Sequence, residues 1–408
     1  MDRKIALLLG SLGVAQAQKV AYAPGHGVAK STYAASDPVS GREWMVKYLP
    51  VSEAPDDCTG GICTCTTAGT WEIQQGRVQL DEESGGRGFG LHLVNLTARA
   101  TTGGATVEAV EAAWTARLGD MTKFDAFMDH HVGLYTDDLE QYLSAFDADA
   151  VPYYLMSFTA GGDTWHAANV RVPGSQLLIE LLATNYTGAH RMAAAPAPAP
   201  RLGDARAAEL KAMTTDRAYV YAVRVARACT DLDAVAAFYT GALGATQVSE
   251  TATRKCWKLA TTSAFTDTTE VCYTEHADDA SDAMTVKEYE DALNGAHASL
   301  LKGQPKCGMD KWLDNHLAVD PTDHGSNDYG DALVAYVDAT ADLYYYCEPA
   351  MGPGASGYTL HYVIDPAGWG VQVDASFTSP PQACASSSLA IVEGDFNPAC
   401  DLGTCSSL

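Results

Sequence analysis

Runs in which apolar and polar residues alternate with a period of two are separated by stretches of helical spacing, and the order of these runs recurs along the chain. The clearest copy lies between Asp129 and Glu180. Asp129-His130-His131-Val132-Gly133-Leu134-Tyr135-Thr136-Asp137 alternates as a half-buried strand, and residues 138–146 open on acidic side chains and continue with helical apolar spacing. Strands follow over 152–159, 165–172 and 176–183, set apart by Gly161-Gly162 and by Pro173-Gly174. The predicted order is β-α-β-β-β.

The same order can be read three more times. Residues 28–35 form a strand, 37–49 a helix with Trp44, Met45 and Tyr48, and 70–80 and 89–96 further strands. The third copy has strands over 219–228, 256–260 and 270–274 around a helix over 231–244, and the fourth has strands over 315–319, 358–361 and 365–372 around a helix over 331–344. A connecting helix over 106–118 precedes the second copy. Thr106-Val107-Glu108 is echoed by Thr285-Val286-Lys287, and Met128-Asp129-His130-His131 by Leu313-Asp314-Asn315-His316, the mark of internal duplication.

These readings give an α+β fold of four βαβββ modules in two tandem domains. The expected first domain spans 24–188, with modules at 24–97 and 125–188. The second spans 213–378, with modules at 213–278 and 311–378. Between them, residues 189–212 carry an alternating Pro/Ala run that is extended and packs poorly, and residues 379–408 form a Cys-rich tail.

A chain of 408 residues with 47% hydrophobic content can bury more than one core. The net charge of −25 repels nucleic acid and anionic lipid, so neither is expected as a partner. Residues 1–17 read as a secretory signal peptide: a charged start, an apolar run too short to span a bilayer, and Ala15-Gln16-Ala17. A secreted protein in an oxidising compartment is expected, with no membrane segment in the mature chain. The 11 cysteines fit disulfides, the odd count leaving at least one thiol free or paired between chains. Asn95-Leu96-Thr97 and Asn185-Tyr186-Thr187 are glycosylation sequons.

The stretches HHVGLYTDDLEQYLSAF and VRVPGSQLLIELLA resemble a module of the vicinal oxygen chelate superfamily, the glyoxalase, extradiol dioxygenase and bleomycin-resistance group. TDLDAVAAFYTGALGA and DPAGWGVQV resemble the first helix and the final hairpin of such modules. The resemblance implies one metal-ligand position early in each module's first strand and another in its last. His131 and Glu180 fall on those positions. Aligning the first module on the second sets Lys30 opposite His131 and His92 opposite Glu180.

If consecutive modules pair, His92, His131 and Glu180 form a two-histidine, one-carboxylate set for a divalent Fe, Mn, Ni or Zn ion. Glu180 would serve as both ligand and base, with Lys30 and His166 toward the substrate. His26 is a substitute ligand under a shifted register, and His130, a strand neighbour of His131, is expected to face solvent. The second half offers a weaker set of Glu270, His316 and Gln372, with Arg224 replacing a first-strand ligand and Gln372 replacing the usual glutamate.

The resemblance therefore implies a metal-dependent lyase or isomerase of glyoxalase type acting on a small oxygenated substrate. A non-heme Fe(II) dioxygenase and a non-catalytic small-ligand-binding protein are the alternatives.

Overall fold

The computed structural model describes residues 27–53, 62–67, 71–80, 89–96, 106–184, 186, 188, 190, 201–212, 220–259, 269–298, 315–320, 328–340, 343–349, 358–375 and 405–406. The signal-peptide reading, His26, Asn185, the proline-rich run and most of the tail lie outside these residues.

Module 1 comprises β1 (Gly27–Ala34), α1 (Pro38–Tyr48), β2 (Val51–Glu53), β3 (Ile62–Thr67), β4 (Trp71–Leu80) and β5 (Gly90–Leu96). Helix α2 (Val107–Leu118) leads to module 2: β6 (His131–Tyr135), α3 (Leu139–Ala148), β7 (Tyr153–Ala160), β8 (Asp163–Arg171) and β9 (Leu178–Ala183). Helix α4 (Asp204–Ala212) precedes module 3, with β10 (Tyr221–Cys229), α5 (Leu232–Gly241), β11 (Thr246–Glu250), β12 (Arg254–Lys258) and β13 (Glu270–Glu275). Helix α6 (Val286–Ala298) joins it to module 4, with β14 (His316–Asp320), α7 (Asp328–Ala339), β15 (Tyr345–Pro349), β16 (Tyr358–Ile364) and β17 (Gly370–Ala375), and β18 (Cys405–Ser406) closes the chain.

The strand-to-helix junction is built alike in three modules. Asp37, Asp138 and Asp231 each cap the following helix by accepting from the backbone N–H three residues on. The aspartate ends the strand and satisfies a helix donor that would otherwise lack a partner. In module 4 the helix begins at Asp328 and the chain is in strand again by Tyr345, so the helix expected over 331–344 is shorter and earlier.

The α+β class holds, the βαβββ order holds in modules 2, 3 and 4 and gains one short strand, β2, in module 1, and modules pair to form two large sheets. The pairing is not the expected one of module 1 with module 2 and module 3 with module 4. Antiparallel β1 and β14 join modules 1 and 4 in a ten-stranded sheet, and antiparallel β6 and β10 join modules 2 and 3 in an eight-stranded sheet. Within each module the first and last strands run parallel: β1 beside β5, β6 beside β9, β10 beside β13 and β14 beside β17.

The helix-bearing faces of the two sheets share one hydrophobic core. Trp44 of α1 stacks on Phe146 of α3, and Gly41 approaches Leu93 and Val172 so closely that a Cβ would clash. At the centre, Arg227 of β10 donates to Tyr33 Oη at 3.0 Å and Ser31 Oγ at 3.1 Å, and its guanidinium lies 3.8 Å from the Trp369 ring centroid. His130 is fully buried against Trp114, Phe127, Tyr289 and Trp369, contrary to the expected solvent-facing position. Strand parity predicts correctly that His130 and His131 point to opposite faces, but here both faces are covered.

Candidate functional site

The opposite, inner face of the modules 2 and 3 sheet is organised by register. Directly paired residues share a face, so Tyr154, Asn169, Glu180, Gly133, Arg224 and Glu270 form one row across six strands. Gly133 is required in this row, because a Cβ there would lie 2.5 Å from Arg224 Cγ. The arginine side chain passes over the glycine to reach the carboxylate on the far side.

Glu180 is fully buried, and its carboxylate is saturated by cations. Oε1 accepts from Arg201 Nε at 2.8 Å, while Oε2 accepts from Arg224 Nε at 2.9 Å and also from Arg224 Nη2. Asp129 completes the cluster, taking Arg201 Nη1 at 3.1 Å, Arg254 Nη1 at 3.5 Å and His276 Nε2 at 2.7 Å. Burial by itself raises both carboxyls. For Glu180, Arg224, His131 and Arg201 outweigh burial, and for Asp129, Arg201, His276 and Arg254 do so, holding both well below the usual carboxylate range. Burial, reinforced by Arg224 and Arg201, pushes Arg254 down to about 10.

His131 and Glu180 do come together, with His131 Nε2 lying 3.1 Å from Glu180 Oε2, although the contact lacks hydrogen-bond alignment. His131 Nδ1 faces Met128 O at 2.7 Å, and burial drives the ring toward its neutral form against the pull of Glu180. His92 is not with them. It lies on β5 of the other sheet, so the expected His92, His131 and Glu180 set does not form. Two guanidiniums on Glu180 take the place a divalent cation would need, and like charges in a buried site repel strongly. These residues do not fit a metal.

His166 faces the α3 side of its sheet, opposite Glu180, with its ring 4.9 Å from that of Tyr186. It therefore does not line the Glu180 face. The weaker set is divided as well: Glu270 sits in the eight-stranded sheet, held by Arg206 at 3.3 Å, and His316 and Gln372 in the ten-stranded one. One three-donor cluster occurs among the described residues, Cys256, Glu270 and Cys272. Its two sulfurs are joined in a disulfide, so neither is a thiolate ligand in this state.

The residues that sequence reasoning missed are Asp129, Arg201, Arg254 and His276. Arg201 belongs to the segment read as a linker. Arg201 and Leu202 are buried, and α4 continues across the inner face, where Arg206 donates to Val223 O and Asp204 accepts from Gly161 N–H. The available signal was chemical. Buried carboxylates require cationic partners, and Arg224 and Arg227 within an otherwise largely apolar strand show that such partners were present.

On the other sheet the register brings Lys30, Thr32, His92, His316 and Gln372 to the face turned away from α1. Thr32 pairs with His92 on one side and His316 on the other, and Ala318 lies between Lys30 and Gln372. The two sheets correspond position by position: Lys30 takes the place of Arg224, Ala318 of Gly133, Gln372 of Glu180 and His316 of His131. Both first strands carry a bulge just before the cation, at Val28/Lys30 and at Ala222/Arg224. The His316 ring packs edge-on against Tyr362 at 5.0 Å.

A cleft of about 660 Å³ lies near the modules 1 and 2 junction. Its charged groups serve the scaffold: Glu111 accepts from Ser36 N–H at 2.7 Å, and Arg171 donates to Ser175 O and Glu111 O.

This strand order, with paired βαβββ modules joined through their first strands, defines a fold of the vicinal oxygen chelate type. No protein-family model matches the sequence, and no curated protein matches it. Similar solved structures include glyoxalase I from Zea mays, 12% identical with a TM-score of 0.42 over 85% of this chain and 91% of that one. A mutant form of the same enzyme gives 11% identity and a TM-score of 0.45 over 85% and 92%. 4-Hydroxymandelate synthase from Streptomyces coelicolor gives 10% and 0.22 over 64% and 96%.

Proposed function

We propose that the chain is a secreted protein that binds a small oxygenated molecule on the inner face of modules 1 and 4. In this reading His92, His316 and Gln372 hold a divalent metal and Lys30 contacts an anionic group of the substrate. The observation that supports it is the register of β5, β1 and β14, which sets the two histidines on one face with a single strand between them. Two imidazoles and an amide oxygen suit a borderline ion such as Zn, Ni, Mn or Fe. When bound, the ion would polarise vicinal oxygens of the substrate. Lys30 supplies a point charge beside them.

The neutral Gln372 disfavours the Fe(II) dioxygenase alternative, which is served by two histidines and a carboxylate, and as an amide it supplies no general base for glyoxalase-type proton transfer. A non-catalytic ligand-binding role is the second reading, favoured by the cation-filled inner face of modules 2 and 3. The Cys256–Cys272 disulfide supports an oxidising compartment. Metal content of the purified chain, compared between wild type and the His92→Ala, His316→Ala double variant, tests the proposal. Stoichiometric metal that the double variant loses supports it, and a metal-free wild type that binds small ligands supports the second reading.

A further inference from the structure

The cluster around Glu180 carries more positive charge than its protein partners neutralise. Arg201, Arg224 and Arg254 face two carboxylates, Asp129 and Glu180. Next to them Arg206 pairs with both Glu270 and Glu209, and Lys258 pairs with Glu209, so two cations face two carboxylates and that group balances. One guanidinium charge is left over where the side chains of Arg201, Arg224, Arg254, Asp129 and Glu180 are each at most 5% exposed. An uncompensated buried charge of this kind is costly.

Unused donors lie in the same place. Arg201 Nη2 and Arg254 Nε and Nη2 are buried and meet no protein acceptor. The hydroxyl of Tyr154 and the amide of Asn169 are likewise buried without a protein partner; Asn169 sits next to Glu180 in the row across the sheet and Tyr154 next to Asn169. Buried guanidinium N–H groups left without acceptors are rare. The charge excess and the unused donors are separate observations, and both call for the same thing, a small negatively charged acceptor.

We propose that the inner face of modules 2 and 3 binds a small monovalent anion, a halide or a carboxylate the size of formate, held by Arg201 and Arg254 with Tyr154 and Asn169 beside it. The anion completes the charge balance beneath the 201–212 segment and fixes that segment on the sheet. His276, whose side chain is 21% exposed and contacts Asp129, marks the edge through which an ion of this size reaches the cluster. This site is separate from the modules 1 and 4 face and stands whether or not a metal binds there.

The test is thermal unfolding of the full chain at constant ionic strength, with gluconate replaced stepwise by chloride, bromide, nitrate or formate. A saturable rise in Tm of a few degrees is expected for at least one of these ions, and which one separates halide from carboxylate. In Arg254→Gln, which removes the excess charge, that rise is expected to vanish. Bromide soaked into wild-type crystals provides a readout that does not depend on the variant folding, with an anomalous peak expected within hydrogen-bond distance of Arg201 or Arg254. A Tm indifferent to all four ions, together with no peak at the cluster, overturns the proposal and assigns the unused donors to water.

Discussion

Arg201 Nε donates to Glu180 Oε1 at 2.8 Å, so a residue from the segment between modules 2 and 3 closes the inner face of the sheet those modules form. The contact accounts for two features together. It explains why a carboxylate inside the apolar strand LIELLA is tolerated, and why that carboxylate is already occupied where a divalent ion would sit.

Removing the carboxylate leaves Arg201 and Arg224 buried with one acceptor fewer. Glu180→Gln is expected to lose about 3–5 kcal/mol of stability, the usual cost of breaking a buried pair from one side. A Glu180→Leu, Arg224→Met double variant is expected to lose less than the sum of its single variants, because the pair disappears together. Urea denaturation of the four proteins checks this, and strict additivity would show that Glu180 and Arg224 are not coupled.

Two other buried carboxyls give an opposing pH signature. Burial raises Asp365 to about 6 and Glu290 to about 7, despite the hydrogen bonds Asp365 receives from Tyr273 and Trp369 and those Glu290 receives from Thr230. A carboxyl raised on folding binds more protons folded than unfolded. Its contribution is therefore complete below its unfolded pKa, near 4, and is lost as pH rises through 6 and 7. The lowered Asp129 and Glu180 act oppositely, contributing above the unfolded carboxylate range and losing that contribution on acidification. Asp365→Asn and Glu290→Gln are each expected to remove about 2–3 kcal/mol of decline between about pH 4 and 7. Denaturation curves across that range, variant against wild type, give the difference.

Cys256 and Cys272 face each other on β12 and β13 and are joined across a sequence separation of 16. Closing a loop of that length is worth about 3 kcal/mol through the unfolded chain. Cys256→Ala, Cys272→Ala is expected to lower stability by roughly that amount, read by chemical denaturation under non-reducing conditions. Cys229, a buried free thiol that burial pushes well above its ordinary range, is expected to resist alkylation in the folded chain.

The modules were legible because each carries its own punctuation. Aspartate caps, Gly-Gly and Pro-Gly turns and period-two strands are local signals, and the strands of module 2 fall within a few residues of their predicted places. The closeness of His131 and Glu180 was legible too, since both lie at set positions on the parallel first and last strands of one module. Which modules pair was not. Every first strand presents the same alternating edge, and the choice of β14 for β1 is fixed by packing at Arg227, Tyr33 and Trp369, residues far apart in sequence. Arg201 escaped for a related reason: the Pro/Ala run before it signals an extended chain and says nothing of the buried cation at its end.

Metal content of the purified chain, measured by atomic emission for wild type, His131→Ala and His92→Ala, His316→Ala, bears most directly on the central claim. Near-stoichiometric divalent ion in wild type and in His131→Ala, with its loss in the His92, His316 double variant, is the predicted pattern. Metal that follows His131 instead, or a wild type without metal, would contradict it.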